Sequence, residues 1–171
     1  LMTEKLRRRG LRIGRHYGVD PFAGAPVSEI MTAEVQTLPA AATVGDARER
    51  FARGGHGAYP LVDGGRVVGI VTRGDILRGS SPDEAALAEH ATRQVVTVGP
   101  DDSAQQALRV MVDEHVEHVP VVDEEGVLVG ICTRTDLLKV RRRQLELERR
   151  QRGIARIGRG HPHDVEQEVP T

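Results

Sequence analysis

The sequence predicts a mixed α/β fold, α+β in layout, built from two β-α-β-β-α units related by a pseudo-twofold axis. Three observations predict it. Two stretches match each other at an offset of 60 to 61 residues. Each contains a pair of β-branched runs joined by an Asp/Gly turn. Each is followed and preceded by a segment that opens on a hydroxyl residue with a polar acceptor three positions on.

The first matching stretch reads Pro60-Leu61-Val62-Asp63, then Val68-Gly69-Ile70-Val71-Thr72-Arg73-Gly74-Asp75-Ile76-Leu77. The second reads Pro120-Val121-Val122-Asp123, then Val129-Gly130-Ile131-Cys132-Thr133-Arg134-Thr135-Asp136-Leu137-Leu138. The second turn, Asp123-Glu124-Glu125-Gly126, is one residue longer than the first, and a loop tip is where an insertion is tolerated. Ahead of each hairpin a short strand is expected, at 35–38 and 95–98, and then a helix starting at Val44 or Ala104. Ala104, Ala107, Leu108, Met111 and Val112 recur at helical spacing, as do Val44, Ala47 and Phe51. Thr43 with Asp46, Ser103 with Gln106, Thr72 with Asp75 and Thr133 with Asp136 mark helix starts. Ser81-Pro82-Asp83-Glu84 predicts a further short helix over 83–91 linking the repeats.

One repeat alone has too little apolar surface to be stable, so 27–140 is expected to fold as a single cooperative unit. The domain plan is a basic linker over 1–26, a first repeat over 27–80, a linking helix over 81–91 and a second repeat over 92–140. A basic helical extension and disordered tail follow over 141–171. Leu1 ahead of Met2 fits a tag remnant or a piece of a longer protein equally.

Apolar residues make up 39% of the chain, with two Phe, two Tyr and no Trp, so the core must be Val, Leu, Ile and Ala. No apolar run approaches the roughly 20 residues that span a bilayer. The single cysteine, Cys132, sits in an apolar run and reads as a small buried hydrophobe. The net charge of −1 hides an asymmetry: residues 17–138 carry nine bases against nineteen acids, while 1–16 and 139–160 are strongly basic. Basic ends suit an anionic surface or plain solvation.

Catalytic signatures are missing. There is no Gly-x-x-x-x-Gly-Lys loop, no paired zinc cysteines and no Ser/His/Asp or Cys/His grouping. His115 and His118 at i, i+3 and His161 with His163 have no second cluster to complete a metal site. The Arg-rich stretch 139–152 lacks aromatic stacking residues, so no nucleic-acid partner is expected. The expectation is a protein that is not an enzyme, needs no cofactor and binds no metal.

The duplicated Pro-φ-Val-Asp, turn, Val-Gly-Ile-x-Thr-Arg-x-Asp-φ-Leu pattern resembles a tandem pair of CBS domains, a Bateman module, over about 115 residues. Val27-Ser-Glu-Ile-Met31-Thr32 resembles the entry segment of such modules. The resemblance implies dimerisation of pairs into a flat disc and an inter-repeat cleft that binds AMP, ADP, ATP or a related adenosyl compound. Two readings of Thr72/Asp75 and Thr133/Asp136 stand side by side. Each pair is a capping box, or its helix start receives a phosphate while the Asp holds the ribose hydroxyls. The family places its ribose-binding Asp here. Arg73 and Arg134 are either exposed arginines or phosphate contacts. The adenine slot implied by the family is lined by Val35-Gln36-Thr37, Ala58-Tyr59, Val95-Val96-Thr97 and His118-Val119. Tyr59 and His118 are bulky departures expected to close one of the two sites.

Upstream, Thr3-Glu-Lys-Leu6-Arg-Arg-Arg9-Gly10-Leu-Arg-Ile13 and His16-Tyr17-Gly-Val-Asp20-Pro21-Phe22 resemble the linker between the last membrane helix of prokaryotic chloride channel/antiporter proteins and their cytoplasmic CBS pair. The basic run at 5–9 would lie just inside the membrane. The implied function is a cytoplasmic regulatory domain, tethered to the inner face of the plasma membrane, that senses an adenine nucleotide for a transmembrane chloride transporter in the same chain. The alternatives are a stand-alone pair regulating a soluble enzyme, and a purely structural dimerisation module.

Overall fold

A computed structural model of the chain describes residues 20–157. The basic run at 5–9, the tail beyond 157 and its two histidines lie outside the described residues. The elements in order are α1 (Val27–Ile30), β1 (Leu38–Pro39), α2 (Val44–Arg53), β2 (Ala58–Asp63), β3 (Arg66–Thr72), α3 (Arg73–Arg78), a 3-10 turn at Leu87–Glu89, α4 (Ala104–Asp113), β4 (His118–Val122), β5 (Leu128–Thr133) and α5 (Arg134–Ile157).

The hairpins follow from their turns. Gly64 and Gly65 both adopt positive φ, +54° and +83°, closing β2–β3 with a two-residue turn that an L side chain would strain. In the longer second turn, Asp123 Oδ1 accepts from the Glu125 and Val127 backbone N–H groups at 3.1 and 2.8 Å, and Gly126 takes φ +81°. Both hairpins shift register at the same place, between Leu61 and Val62 and between Val121 and Val122. The repeat is therefore preserved down to its irregularity.

The first strand of each repeat is shorter than expected. Leu38 and Pro39 pair in parallel with Leu61 and Val62. In the second repeat Val98 makes a single parallel bridge to Val121. Leu38 and Val98 are buried beneath the sheets, while several residues just before Leu38 leave the sheet edge to line a cleft described below.

The linking helix over 83–91 does not form. The backbone N–H groups of Val44, Gly45 and Leu87 donate to Ala85 O, Asp83 O and Ala42 O, each at 2.9 Å. These groups are engaged with the start of α2 rather than with their own i−4 partners, and one 3-10 turn is all that remains. Asp83 pairs with Arg48 instead of opening a helix. At the other end, α5 continues through Gly153 to Ile157, where the expected disorder would have begun. A glycine costs a helix only about 1 kcal/mol, and strong helix formers flank this one.

Two apolar clusters form, and neither coincides with a sequence repeat. The first joins α2, β2, β3 and α3 to Leu87, with Ala85, Ala88 and Ala91 packed on it. The second joins α4, β4, β5 and α5 to Val27, with Phe22, Ala25, Ile30 and Met31 packed on it. The segment entering each repeat thus completes the core of the other. Thr32 exchanges two backbone hydrogen bonds with Ile131, and Thr92 exchanges two with Ile70, all at 2.9 to 3.0 Å. The hairpins also touch directly, Leu128 N donating to Gly65 O at 3.0 Å. Residues 20–26, assigned to a linker, belong to this packing: Ala104 N and Gln105 N donate to Ala25 O and Phe22 O.

All four main helix starts are capped. In α2 and α3 the Thr hydroxyl and the Asp carboxylate each accept a backbone N–H, forming full capping boxes. Ser103 accepts from Gln106 N at α4. At α5, Thr133 N and Oγ1 donate to Asp136 Oδ2 at 3.0 and 2.7 Å, and Lys139 Nζ donates to Asp136 Oδ1 at 2.8 Å. Burial alone would raise the Asp136 pKa. The hydrogen bonds from Lys139 and Thr133 and the Lys139 charge outweigh it and hold the carboxyl below its ordinary value. Burial, then the Asp136 charge, pushes the Cys132 thiol up to about 12, which leaves it a protonated packing residue.

On α4 the apolar stripe is wider than the core it meets. Ala104, Ala107 and Met111 are buried, but Leu108 and Val112 stay at the surface, as do Leu77 and Leu138.

Two outcomes test this architecture. A Cβ at Gly130 would collide with the Met31 side chain. Gly130→Ala should therefore lower stability in urea by about 1–2 kcal/mol. Adding Met31→Ala should relieve much of that clash, giving a non-additivity of at least ~0.5 kcal/mol. The depressed Asp136 pKa stabilises the fold above the unfolded carboxylate value of 3.8. That contribution drains away as pH falls through the lower folded value. Lys139→Met should flatten this acid-side loss in a thermal-melt pH series and cost about 1 kcal/mol near neutrality.

Candidate functional site

The crossing segments leave a cleft between the repeats. Its volume is about 290 Å³. One wall is the start of α5, presenting Thr133 and Thr135, with Ile131 of β5 beneath. The facing wall is the entry stretch through Glu34, Val35 and Gln36, together with Ala58 at the head of β2. The Gly55-His56-Gly57 loop and His118 complete it. Two elements from each repeat therefore converge, because Thr32, bonded to Ile131, lays the entry stretch across the second repeat.

Of the residues singled out in the sequence, the cleft gathers Thr133, Val35, Gln36, Ala58 and His118. Asp136 stands one helical turn behind Thr133, only 3% exposed. Both its oxygens are engaged, one by Thr133 and one by Lys139. Arg134 lies outside, paired with Glu117 at 3.0 Å. Its backbone N–H donates to Glu117 O, as that of Arg73 donates to Gly57 O.

The equivalent residues of the first repeat are arranged differently. Thr72 and Asp75 form the same box, with Thr72 N and Oγ1 donating to Asp75 Oδ2 at 2.8 and 2.6 Å. Among the described residues Asp75 has no counterpart of Lys139, since position 78 is Arg and lies against Gly74. Arg73 is a structural clamp: its guanidinium lies 5.5 Å from the Phe51 ring centroid and donates to Gly54 O and His56 O. None of Thr72, Arg73 and Asp75 lines the cleft. Thr97 falls in a separate hollow with Asp101, Asp102 and Asp123. Thr37 lines none of these depressions.

Tyr59 requires a correction. It was expected to crowd the adenine slot, but strand alternation turns it away from Ala58 and into the first core. It is fully buried, 4.9 Å from Phe51 between ring centroids, with its hydroxyl donating to Arg50 O at 3.3 Å. His118 is the bulky residue that does reach the cleft. Its ring atoms Cε1 and Nε2 lie 3.1 Å from where a Cβ on Gly57 would stand. Burial holds its pKa below the usual imidazole value, with the Glu117 charge opposing.

Glu34, Gly55, His56, Gly57 and Thr135 line the cleft and were not singled out. The glycine-rich run 54–57 ahead of β2 was the available signal: Gly57 is where backbone must pass closely under an imidazole.

Comparison with known proteins places this geometry. An uncharacterised protein of Methanocaldococcus jannaschii is 29% identical over 123 residues, 72% of this chain and 42% of the relative. The chain spans less than half the length of the curated relatives first matched, 42%, 43% and 25% of them. The cytosolic domain of the Mg2+ channel MgtE, solved in complex with ATP, superposes with a TM-score of 0.61 at 30% identity, over 68% of this chain and 48% of that one. The CBS domain pair of protein MJ0100, solved with 5′-methylthioadenosine and S-adenosyl-L-methionine, superposes with a TM-score of 0.63 at 26% identity, over 68% and 94%. The CBS domain family model matches twice, at residues 27–81 and 87–143. Together these cover well over half of the sequence, and the chain belongs to the CBS-domain family as a tandem pair.

Proposed function

We propose that the chain is a regulatory, non-catalytic CBS pair whose inter-repeat cleft binds an adenosine-containing ligand, the nucleotides AMP, ADP and ATP being the expected candidates. One observation carries this: the cleft joins a capped helix start of one repeat to the entry stretch and β2 of the other. A ligand there bridges both halves. The Thr133 hydroxyl and the Thr135 edge offer polar contacts, Asp136 offers the ribose a carboxylate whose oxygens keep further lone pairs beside the Thr133 and Lys139 bonds, and Val35 and Ala58 offer an apolar slot. The MgtE and MJ0100 complexes, which hold ATP in one and two adenosyl compounds in the other, support the choice of ligand class.

The surface leucines support a dimer. Leu77 and Leu138 occupy equivalent positions in the two repeats and are 70% and 62% exposed, a poor place for leucine in a monomer. Residues 3–22 support a membrane chloride transporter as host. A soluble enzyme fits the same relatives, whose own chains extend well beyond the matched region. The coding frame upstream of Leu1 separates the two: hydrophobic segments there favour the transporter, and a start at Met2 favours a stand-alone regulator.

Calorimetric titration with adenosine, AMP, ADP and ATP tests the ligand. Binding should weaken by at least about tenfold in Asp136→Asn and persist in Asp75→Asn, with circular dichroism confirming that both variants stay folded. No heat and no shift in melting temperature at millimolar concentrations of all four compounds would remove the sensing role. For the dimer, Leu77→Glu with Leu138→Glu should convert a two-chain species in sedimentation into a one-chain species. An unchanged sedimentation coefficient would place the contact elsewhere.

A further inference from the structure

The charge around the cleft narrows the ligand further than the adenosine ring does. Glu34 is the one carboxylate side chain among the lining residues; the other titratable groups there are His56 and His118, and no Lys or Arg lines the cleft. The nearby cations are engaged elsewhere. Arg134 is paired with Glu117, Lys139 with Asp136, and Arg73 is held over Phe51 while bonding Gly54 O and His56 O. The α5 N-terminus supplies only a partial positive charge, and the buried Asp136 carboxylate already sits in its first turn. Burial of His118 disfavours its imidazolium form, with the Glu117 charge opposing.

A nucleoside di- or triphosphate would bring several negative charges into a cleft that offers a carboxylate and no cation. Like charges at short range disfavour binding. A 5′ substituent that is neutral or cationic meets no such opposition, and a cationic one gains from Glu34. Resting on the reading of the cleft as an adenosyl site, we propose that it selects adenosyl compounds with an uncharged or positively charged 5′ group over nucleoside polyphosphates, with Glu34 as the discriminating residue.

Glu34 is exposed and makes no hydrogen bond or ion pair within the described residues, so its replacement leaves the cores intact. The probes are S-adenosylmethionine (a sulfonium), 5′-methylthioadenosine (a neutral thioether) and ATP. They are titrated calorimetrically at about pH 7.5, where imidazoles of ordinary pKa are largely neutral. In the unmodified protein both sulfur compounds should bind at least about tenfold more tightly than ATP. Glu34→Gln should narrow the preference for S-adenosylmethionine over ATP by about threefold, and Glu34→Lys should narrow it further. Affinity for the neutral thioether should move less than affinity for either charged probe. ATP binding as tightly as the thioether, or a preference unmoved by Glu34→Lys, would overturn the selectivity. If all three compounds bind and all weaken in Asp136→Asn, the cleft reading stands even where the selectivity fails. If none binds, both fall together.

Discussion

The fold depends on a reciprocal exchange of short backbone segments. Thr32, in the entry segment of the first repeat, pairs with Ile131 of the second; Thr92, in the entry segment of the second, pairs with Ile70 of the first. Each pairing extends a two-stranded hairpin, which is marginal alone in water. Each also carries an apolar payload into the other core: Val27 and Met31 into one, Leu87 and Ala91 into the other. The core of each repeat is completed by the entry segment of its neighbour. Gly69 and Gly130 sit where these segments cross, and each leaves room for a close approach, by Ala91 and Thr92 in one case and by Met31 in the other.

That exchange explains which parts of the fold were legible in the sequence. The duplicated hairpins, their glycine turns and the Thr-x-x-Asp helix starts are local devices, and local devices leave local signatures. Thr72 with Asp75 and Thr133 with Asp136 form the boxes their spacing implies. Residues 83–91 carried an equally good helix signature, Ser-Pro-Asp-Glu, yet their carbonyls and amides are engaged with the start of α2. The competition was tertiary, and no local pattern reports it. The entry stretches read as the beginnings of their own repeats because they are adjacent in sequence, while their contacts lie in the other repeat, as between Thr32 and Ile131 and between Thr92 and Ile70.

The site follows the same division. Its polar half, the capped start of α5, was visible as a motif. Its facing half was only partly visible: Val35, Gln36, Ala58 and His118 were identified, but Glu34 and the Gly55-His56-Gly57 loop were not, because nothing in their own sequence says that they face Thr133. Tyr59 shows how fine the distinction is. It neighbours Ala58, and one step along a strand separates a cleft-lining residue from a core residue bonded to Arg50 O. The two Thr-x-x-Asp boxes are matched in their bonds but not in their surroundings, since only Asp136 is nearly sealed from solvent and held by a lysine. Pseudo-symmetry of backbone thus coexists with asymmetry of chemistry.

The position of the cleft decides what a ligand could influence. Glu34 to Gln36 lie two to four residues beyond Thr32, on the entry stretch that crosses to the second repeat. Thr133 and Thr135 open α5, a 24-residue helix about 36 Å long whose exposed, arginine-rich part runs beyond Val140. One occupant therefore touches the element leading toward each end of the chain. A ligand shifts an equilibrium only through its different affinities for two arrangements. Here the two arrangements would differ in the angle between the entry stretch and α5, because those are the walls that face each other across the cleft. The Thr32–Ile131 pairing joins both walls, so a change in cleft width would move α1 or α5 relative to the first core. In a larger host, that movement is the form in which the state of the cleft would reach the domains joined at either end.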